Sequence, residues 1–211
     1  MDFEAVHKYI EKFSSDEDEL LAKINRETWL KVLNPRMVTG PVQGKFLQFI
    51  SQMISPKYIL ELGTFTGYSA ICMAKGLKEN GQLHTIEKND EVLTYARKNF
   101  AEAGLSDKIR VYCGDAGELL PTLNYNWDIV FLDADKIRYG FYYDLLIDKL
   151  KPGAIILADN VLWNGKVLTD IDEKDKDTIA IQLFNEKVQA DTRVENVIIP
   201  LRDGLAIIRK L

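Results

Sequence analysis

From Lys57 onward, short apolar runs alternate with longer stretches in which apolar residues recur every three or four positions. The first pattern is that of strands and the second that of amphipathic helices, so their alternation predicts parallel strands joined by crossover helices. Seven strands are expected, over residues 58–62, 83–87, 109–113, 127–132, 154–158, 194–200 and 205–209. Runs such as Ile129-Val130-Phe131-Leu132 and Ile155-Ile156-Leu157 carry no polar position, which suits strands covered by helices on both faces. Leu201-Arg202-Asp203-Gly204 interrupts the rhythm with an Asp-Gly turn signal, so the last two strands should pair antiparallel as a hairpin. Residues 89–103 read as a helix, with Asn89 or Asp90 to cap it, Val92, Leu93, Ala96 and Phe100 on one face and Gly104 to stop it. Residues 139–150 and 174–190 read similarly. The first 56 residues look wholly helical, broken into segments by Pro35 and Gly40-Pro41, and Ser15 followed by Asp18 is an approximate capping signal. Such a prefix covers a sheet face, or serves as a lid, a dimer surface or a substrate wall.

Composition narrows the class. With 211 residues, 46% hydrophobic and 28% charged, the chain is expected to fold as one globular domain, a helical prefix (1–56) on an α/β core (57–211). There is no run of eighteen apolar residues, and Met1-Asp2-Phe3-Glu4 lacks the basic start of a signal peptide, so a cytoplasmic protein without a membrane partner is expected. Cys72 and Cys113 have no CxxC spacing and read as reduced core residues. A net charge of −5 provides no general pull toward nucleic acid or anionic membrane and favours a small-molecule partner.

Within this frame, the segment Ile59-Leu60-Glu61-Leu62-Gly63-Thr64-Phe65-Thr66-Gly67-Tyr68-Ser69 is a strand, a glycine-containing turn and a helix start. Gly63 would let backbone approach a ligand closely, Gly67 would permit the turn, and Ser69 would offer a hydroxyl at the helix N-terminus. An ordinary strand-to-helix turn could look the same. Glu87, which ends the next strand twenty-six residues after Glu61, adds weight, because a carboxylate there can accept hydrogen bonds from both hydroxyls of a ribose. The loop has G-x-x-x-G where dinucleotide folds want G-x-G-x-x-G, which leaves a nicotinamide-dependent oxidoreductase as an alternative. Glu61 could serve the cationic methionine end of a nucleoside cofactor or be a paired buried charge. After the third strand, Asp115 of Gly114-Asp115-Ala116 could take an adenine amino group or simply cap a helix.

Oxygen-bearing residues follow two further strands: Asp133-Ala134-Asp135-Lys136 and Asp159-Asn160. In a parallel sheet these ends are neighbours. Asp133, Asp159 and Asn160 would present a hard-oxygen set suited to Mg2+ or Ca2+ more than to zinc, leaving about three positions of an octahedral ion open. Such an ion could take both oxygens of a vicinal diol such as a catechol. Lys136 could accept the hydroxyl proton if nearby cations lower its pKa, and a plain surface lysine would share its spacing.

Together, Met37-Val38-Thr39-Gly40 with Gly44, the Glu61 to Ser69 loop, Asp133-Ala134-Asp135-Lys136 and Asp159-Asn160-Val161-Leu162-Trp163-Asn164-Gly165 resemble the cation-dependent O-methyltransferases of the catechol and caffeoyl-CoA type, over nearly everything from Arg36 onward. The resemblance implies a Rossmann-like class I methyltransferase fold, a mostly parallel seven-stranded sheet of order 3-2-1-4-5-7-6, and a homodimer. By the same analogy, Thr39, Glu61, Gly63, Thr64, Ser69, Glu87, Ala116 and Asp135, with Asp115 beside them, would contact S-adenosyl-L-methionine. Asp133, Asp159 and Asn160 would hold Mg2+, Mn2+ or Ca2+, with Lys136 as base. Asn164 resembles a substrate-contacting asparagine of the plant branch, and Trp163 could pack on an aromatic ring; both could equally be loop anchors. Tyr139, Tyr142 and Tyr143 read as core or dimer residues. Ala134 departs from the animal catechol enzymes, which carry a bulkier residue there. The expected acceptor is an aromatic diol. The alternative is a hydroxylated uridine in tRNA, which a basic face of Lys23, Arg26, Lys31, Arg36 and Lys45 would favour.

Overall fold

The computed structural model of the chain describes residues 3–169 and 173–211. In chain order the elements are α1 (Phe3–Phe13), α2 (Glu19–Lys31), α3 (Pro41–Ile54), β1 (Tyr58–Leu62), α4 (Tyr68–Ala74), β2 (Gln82–Glu87), α5 (Asp90–Glu102), β3 (Ile109–Cys113), α6 (Ala116–Leu119), β4 (Ile129–Leu132), α7 (Tyr139–Ile147), β5 (Ile155–Asp159), α8 (Lys176–Ala190), β6 (Val194–Ile199) and β7 (Leu205–Lys210). The strands form one sheet of order β3-β2-β1-β4-β5-β7-β6, as the resemblance implied. The first five strands pair in parallel, while β7 runs antiparallel to both β5 and β6.

The two-residue period of a strand divides the core between the two sheet faces. Leu60, Leu62, Val130, Leu132 and Ile156 pack with Tyr139, Tyr143 and Leu146 of α7 and Ile181, Phe184 and Val188 of α8. Their sequence neighbours Ile59, Ile129, Phe131 and Leu157 face the other way, against Leu21 and Ile24 of α2, Leu47 of α3, Ile71 of α4 and Phe100 of α5. Burying each such aliphatic or aromatic side chain contributes about 1.5–3 kcal/mol before conformational entropy is charged against it. The prefix helices α2 and α3 therefore close one face of the sheet.

Several boundaries differ from the sequence reading for identifiable reasons. The prefix is not wholly helical: Asn34 sits at φ 55, and only a short 3-10 turn, Pro35–Met37, separates α2 from α3. The cap of α2 is Asp18 itself, which accepts from Leu21 N at 2.9 Å, and not Ser15. β4 begins at Ile129, not Trp127, where the Asp128 carboxylate takes the backbone N–H groups of Lys57 and Tyr58 at 2.8 and 2.9 Å. Asn89 caps α5 as expected, through Glu91 N at 3.0 Å. The β6–β7 connection forms at the expected place as a five-residue loop over residues 200–204, with Gly204 at φ 86. Cys72 is buried as expected, but Cys113 lies at the end of edge strand β3 and is exposed. Among the described residues no helix is long and apolar enough to cross a membrane.

Candidate active site

The chain leaves β1 to build β2 and β3 on one side, then returns to build β4 on the other, so the strand order reverses between β1 and β4. At such a reversal the connections diverge beyond the carboxyl ends of the strands and open a crevice. A narrow cleft lies there, lined by residues 37–39 and 63–66 together with Tyr68, Ser69 and Asp133. It brings together Thr39, Gly63, Thr64, Ser69 and Asp133 from the sequence-derived set.

Gly63 has a specific reason to be glycine. Its φ is +97°, and a Cβ built on it would stand 2.0 Å from the backbone carbonyl oxygen of Asp133. The close approach the sequence suggested is thus made, and the partner in this structure is the chain itself. Backbone bonds Gly63 N to Ile86 O and Asp133 N to Leu62 O, both 2.9 Å, tie the ends of the three strands together.

Glu61 lies beneath the loop, wholly buried, and accepts hydrogen bonds from Ser69 Oγ and Thr85 Oγ1, each at 2.6 Å. Among the described residues no cation pairs with it, so it is not the ion-paired charge that was one of its two readings. Burial pushes its carboxyl up to about 8, against the pull of the two hydroxyls, and the charges of Asp133 and Glu87 add to the rise. Ser69 spends its hydroxyl on Glu61. Glu87, at the tip of β2, accepts from Phe65 N and Asn89 N, both at 3.1 Å, and so braces the glycine loop from the side where a ribose was expected.

The remaining residues assigned to the donor are engaged locally. Asp115 caps α6 through Gly117 N at 2.8 Å and is ion-paired with Arg138, which holds its carboxyl below the ordinary range. Ala116, the first residue of α6, is buried. Asp135 is exposed and accepts from Ile137 N at 3.2 Å, capping the turn that carries Lys136.

Lys136 is the least ordinary side chain here, because it is a buried lysine with two hydrogen bonds: Nζ donates to Asp133 Oδ1 at 2.9 Å and to Tyr139 Oη at 2.6 Å. Tyr139, also buried, can pass its own proton to the carbonyl oxygens of Leu132 (2.8 Å) or Asp159 (3.1 Å). Burial disfavours the ammonium, yet Tyr139, Asp133 and Asp159 outweigh it and hold Lys136 above the usual lysine range. This is opposite to the lowered value a ready base requires, because the neighbours that dominate are oxygens and not cations. Asp159 is buried and raised to about 6, first by desolvation and then by the Asp133 charge. Its Oδ1 takes Asn160 N at 2.9 Å, and Asn160 adopts φ 59, a left-handed conformation that asparagine tolerates.

Asp133, Asp159 and Lys136 thus interact, with Asn160 adjoining, as the neighbouring strand ends required. Trp163 and Asn164 line neither this cleft nor the cavity beside it. Trp163 packs on the core, and Asn164 N is hydrogen-bonded to Asp203, so the loop-anchor role is the one their contacts fill. Of the basic face, Lys23 is paired with Glu102 at 2.6 Å and Lys31 with Glu27 at 3.2 Å.

Three contributors were not singled out from sequence. Tyr139 was read as a core or dimer residue, although its place three residues after Lys136 on a helical turn is the spacing that lets the two side chains meet. Gln43, wholly buried on α3, lies beside Asp159 and favours its charged form. Arg202, in the β6–β7 loop, donates to the carbonyls of Val38 (3.0 Å), Thr39 and Arg36 (3.3 Å) and to Gln43 Oε1 (3.3 Å). Only its place in a turn was legible; its partners are more than 150 residues away.

Known proteins resemble this chain in sequence and fold. The chain is 37% identical to the catechol O-methyltransferase of Niastella koreensis over 97% of its own length and 96% of that protein. It is 32% identical to the caffeoyl-CoA O-methyltransferase of Populus kitakamiensis, covering 99% and 94% of the two chains. Its structure superimposes on the O-methyltransferase TomG of Streptomyces achromogenes, involved in tomaymycin synthesis and crystallised in complex with SAM, with a TM-score of 0.91, 30% identity and coverage of 100% and 99%. The sequence profile of the O-methyltransferase family matches residues 11–211, and the chain belongs to that family.

Proposed function

We propose that the protein transfers the methyl group of S-adenosylmethionine to one hydroxyl of a vicinal-dihydroxy aromatic, with a divalent cation held by Asp133, Asp159 and Asn160. The observation that carries this reading is the adjoining set Asp133, Lys136 and Asp159, of which Asp133 also lines the cleft bordered by the Gly63 loop. The family supports methyl transfer to oxygen, and the SAM-bound neighbour supports the donor.

The donor set fits a hard cation. Two carboxylates close enough for one to raise the other's pKa form a site that gains from added positive charge, and the amide oxygen of Asn160 completes an all-oxygen set. Among the described residues no group of three or more His, Cys, Asp or Glu side chains is placed to hold a metal; the proposed set has two such residues and an amide. A bound divalent cation would supply Lewis acidity toward the acceptor hydroxyl. The sulfonium of S-adenosylmethionine would supply an electrophilic methyl group.

The remaining work belongs to the chain. Thr39, Gly63, Thr64 and Ser69 wall the cleft in which the donor's methionine end would lie, Glu87 would take the ribose, Asp115 and Ala116 would border the adenine end, and Asp135 would add a further contact to the donor. Lys136 must lose its proton before it can accept one, and neutralising Asp133 and Asp159 removes much of what holds that proton on. Tyr139 orients the amine. Methyl transfer would neutralise oxyanion and sulfonium together, so the chain's part would be to hold the two in line.

Two features favour a small acceptor over tRNA: the net charge of −5 and the pairing of Lys23 and Lys31 with acids. Asp133→Ala or Asp159→Ala should abolish metal-dependent methylation of catechols while the donor still binds, measured with labelled donor and by calorimetry. Full turnover in either variant, or in wild type with excess chelator, would refute the metal assignment. Bulk tRNA, assayed in parallel, should take up no label.

A further inference from the structure

A second cavity, of about 200 Å3, opens on the far side of the loop that lines the cleft, sharing Val38 and Thr39 with it. Its wall is built by the prefix helices and the β6–β7 loop: Asn25 and Trp29 of α2, Arg36, Gln43 of α3, and Arg202. Its inner end lies toward the reacting site, because Gln43 and Arg202, both in its wall, are near enough to Asp159 to favour its charged form, Gln43 through its side-chain amide and Arg202 through its charge. The size suits one substituted ring: about 150 Å3 accommodates benzene, and pockets for drug-sized ligands start at roughly 300 Å3.

The wall is polar and incompletely satisfied. Asn25 Oδ1 is buried without a partner, while the wholly buried Gln43 is held by Arg202 through its Oε1 and lies beside Asp159. An unpaired buried polar atom is destabilising, and a polar ligand that meets it removes that cost. The charges differ in availability. Arg202 is consumed by four oxygens of the chain, whereas Arg36 has no ion pair among the described residues and stands exposed at the cavity beside the half-exposed indole of Trp29. Glu11 adds one carboxylate to the lining, against two guanidinium groups.

We propose that this cavity receives the acceptor ring and that Arg36 selects acceptors bearing a carboxylate or similar anion away from the reacting hydroxyls. This rests on the aromatic-diol reading above and adds a charge requirement to it. A charge-assisted guanidinium–carboxylate contact is roughly twice as strong as a neutral hydrogen bond and is geometrically selective, and the ring would lie along the Trp29 face.

The test compares 3,4-dihydroxybenzoate, neutral catechol and dopamine as acceptors for wild type, Arg36→Ala and Arg36→Glu. Calorimetric binding of 3,4-dihydroxybenzoate to each protein is measured in parallel. The wild type should prefer the carboxylate over catechol by about tenfold in kcat/KM, chiefly through KM. That ratio should fall to about one in Arg36→Ala and shift toward dopamine in Arg36→Glu. Methylation of all three diols without discrimination, or a preference that survives Arg36→Ala, overturns the inference and leaves the diol reading standing. If no diol is methylated but the carboxylate binds wild type and not Arg36→Ala, the anion site stands and the diol reading falls.

Discussion

Glu61 shows how much of a residue's behaviour lies in its surroundings. From sequence it is an acid inside an apolar strand, with two open explanations. The structure removes the paired-charge one by giving it two hydroxyl donors and, among the described residues, no cation, with its carboxyl raised from the usual 4.5 to about 8. A raised carboxylate binds its proton more tightly when folded, so its contribution is fully present below about 4.5 and is lost as pH rises through about 8. Across that window wild-type stability should fall by about 1.4 kcal/mol per pH unit on account of this group. Glu61→Gln cannot ionise. Its stability relative to wild type should therefore improve steadily from pH 6 to pH 8, read from urea midpoints, and a difference that stays flat would mean that Glu61 is already charged. Tyr139 makes the converse point: its burial was legible, but its bond to Lys136 depended on a turn geometry that apolar periodicity does not encode. Tyr139→Phe keeps the packing and removes the hydroxyl, so the chain should fold with a near-normal melting temperature while its pH–rate profile for methyl transfer shifts. An unshifted profile would reduce Tyr139 to a core residue.

At the scale of elements, the sheet was legible because strands buried on both faces read as apolar runs, unbroken in β4 (Ile129–Leu132) and in β5 up to Asp159, and broken in β1 only by Glu61. The acids at their ends were legible for the same reason: a charged residue directly after such a run has to lie at the sheet's rim. The prefix was harder to divide. Its pauses are set by a left-handed Asn34, by the 3-10 turn at Pro35–Met37 and by the reach of Arg202 from the opposite end of the chain, none of which leaves a periodic trace. The part of the site built from local motifs was therefore visible, and the part built by α2, α3 and the β6–β7 loop was not. Gly63 connects the two kinds of knowledge. Its φ of +97° and the Asp133 carbonyl 2.0 Å from a built Cβ leave no flexible side chain to move aside. Gly63→Ala should cost about 2–4 kcal/mol and push β1 and β4 apart at the tips that hold the site. The expected drop in melting temperature is about 4–16 °C for a chain of this size. Lost catechol turnover should accompany it even at temperatures where the variant is folded, and a variant with normal stability and turnover would show that the loop relaxes freely.

At the scale of the whole molecule, the site joins parts that pack on different faces of the sheet. Thr39 and Gln43 belong to the prefix, which is held by the core of α2–α5, while Lys136 and Tyr139 lead into α7 on the other face; Asp133 and Asp159 sit between them at the carboxyl ends of the interior strands β4 and β5. Ligands that bridge these parts bind the folded chain and not the unfolded one, so they must raise its stability by mass action. At a hundredfold excess over its dissociation constant the donor should add about 2.7 kcal/mol, or about 5–11 °C in melting temperature for a chain of 150–250 residues. Mg2+ should add a further, separate rise by bringing positive charge to a carboxylate that burial first and the Asp133 charge second now hold raised, and chelator should reverse it. In Asp159→Asn the Mg2+ increment should shrink while the donor increment persists, because Asp159 does not line the donor cleft. Loss of both increments together would mean that cation and donor bind as one unit. No Mg2+ increment in wild type, with the donor increment intact, would leave a methyl-donor protein whose paired carboxylates serve something other than a metal.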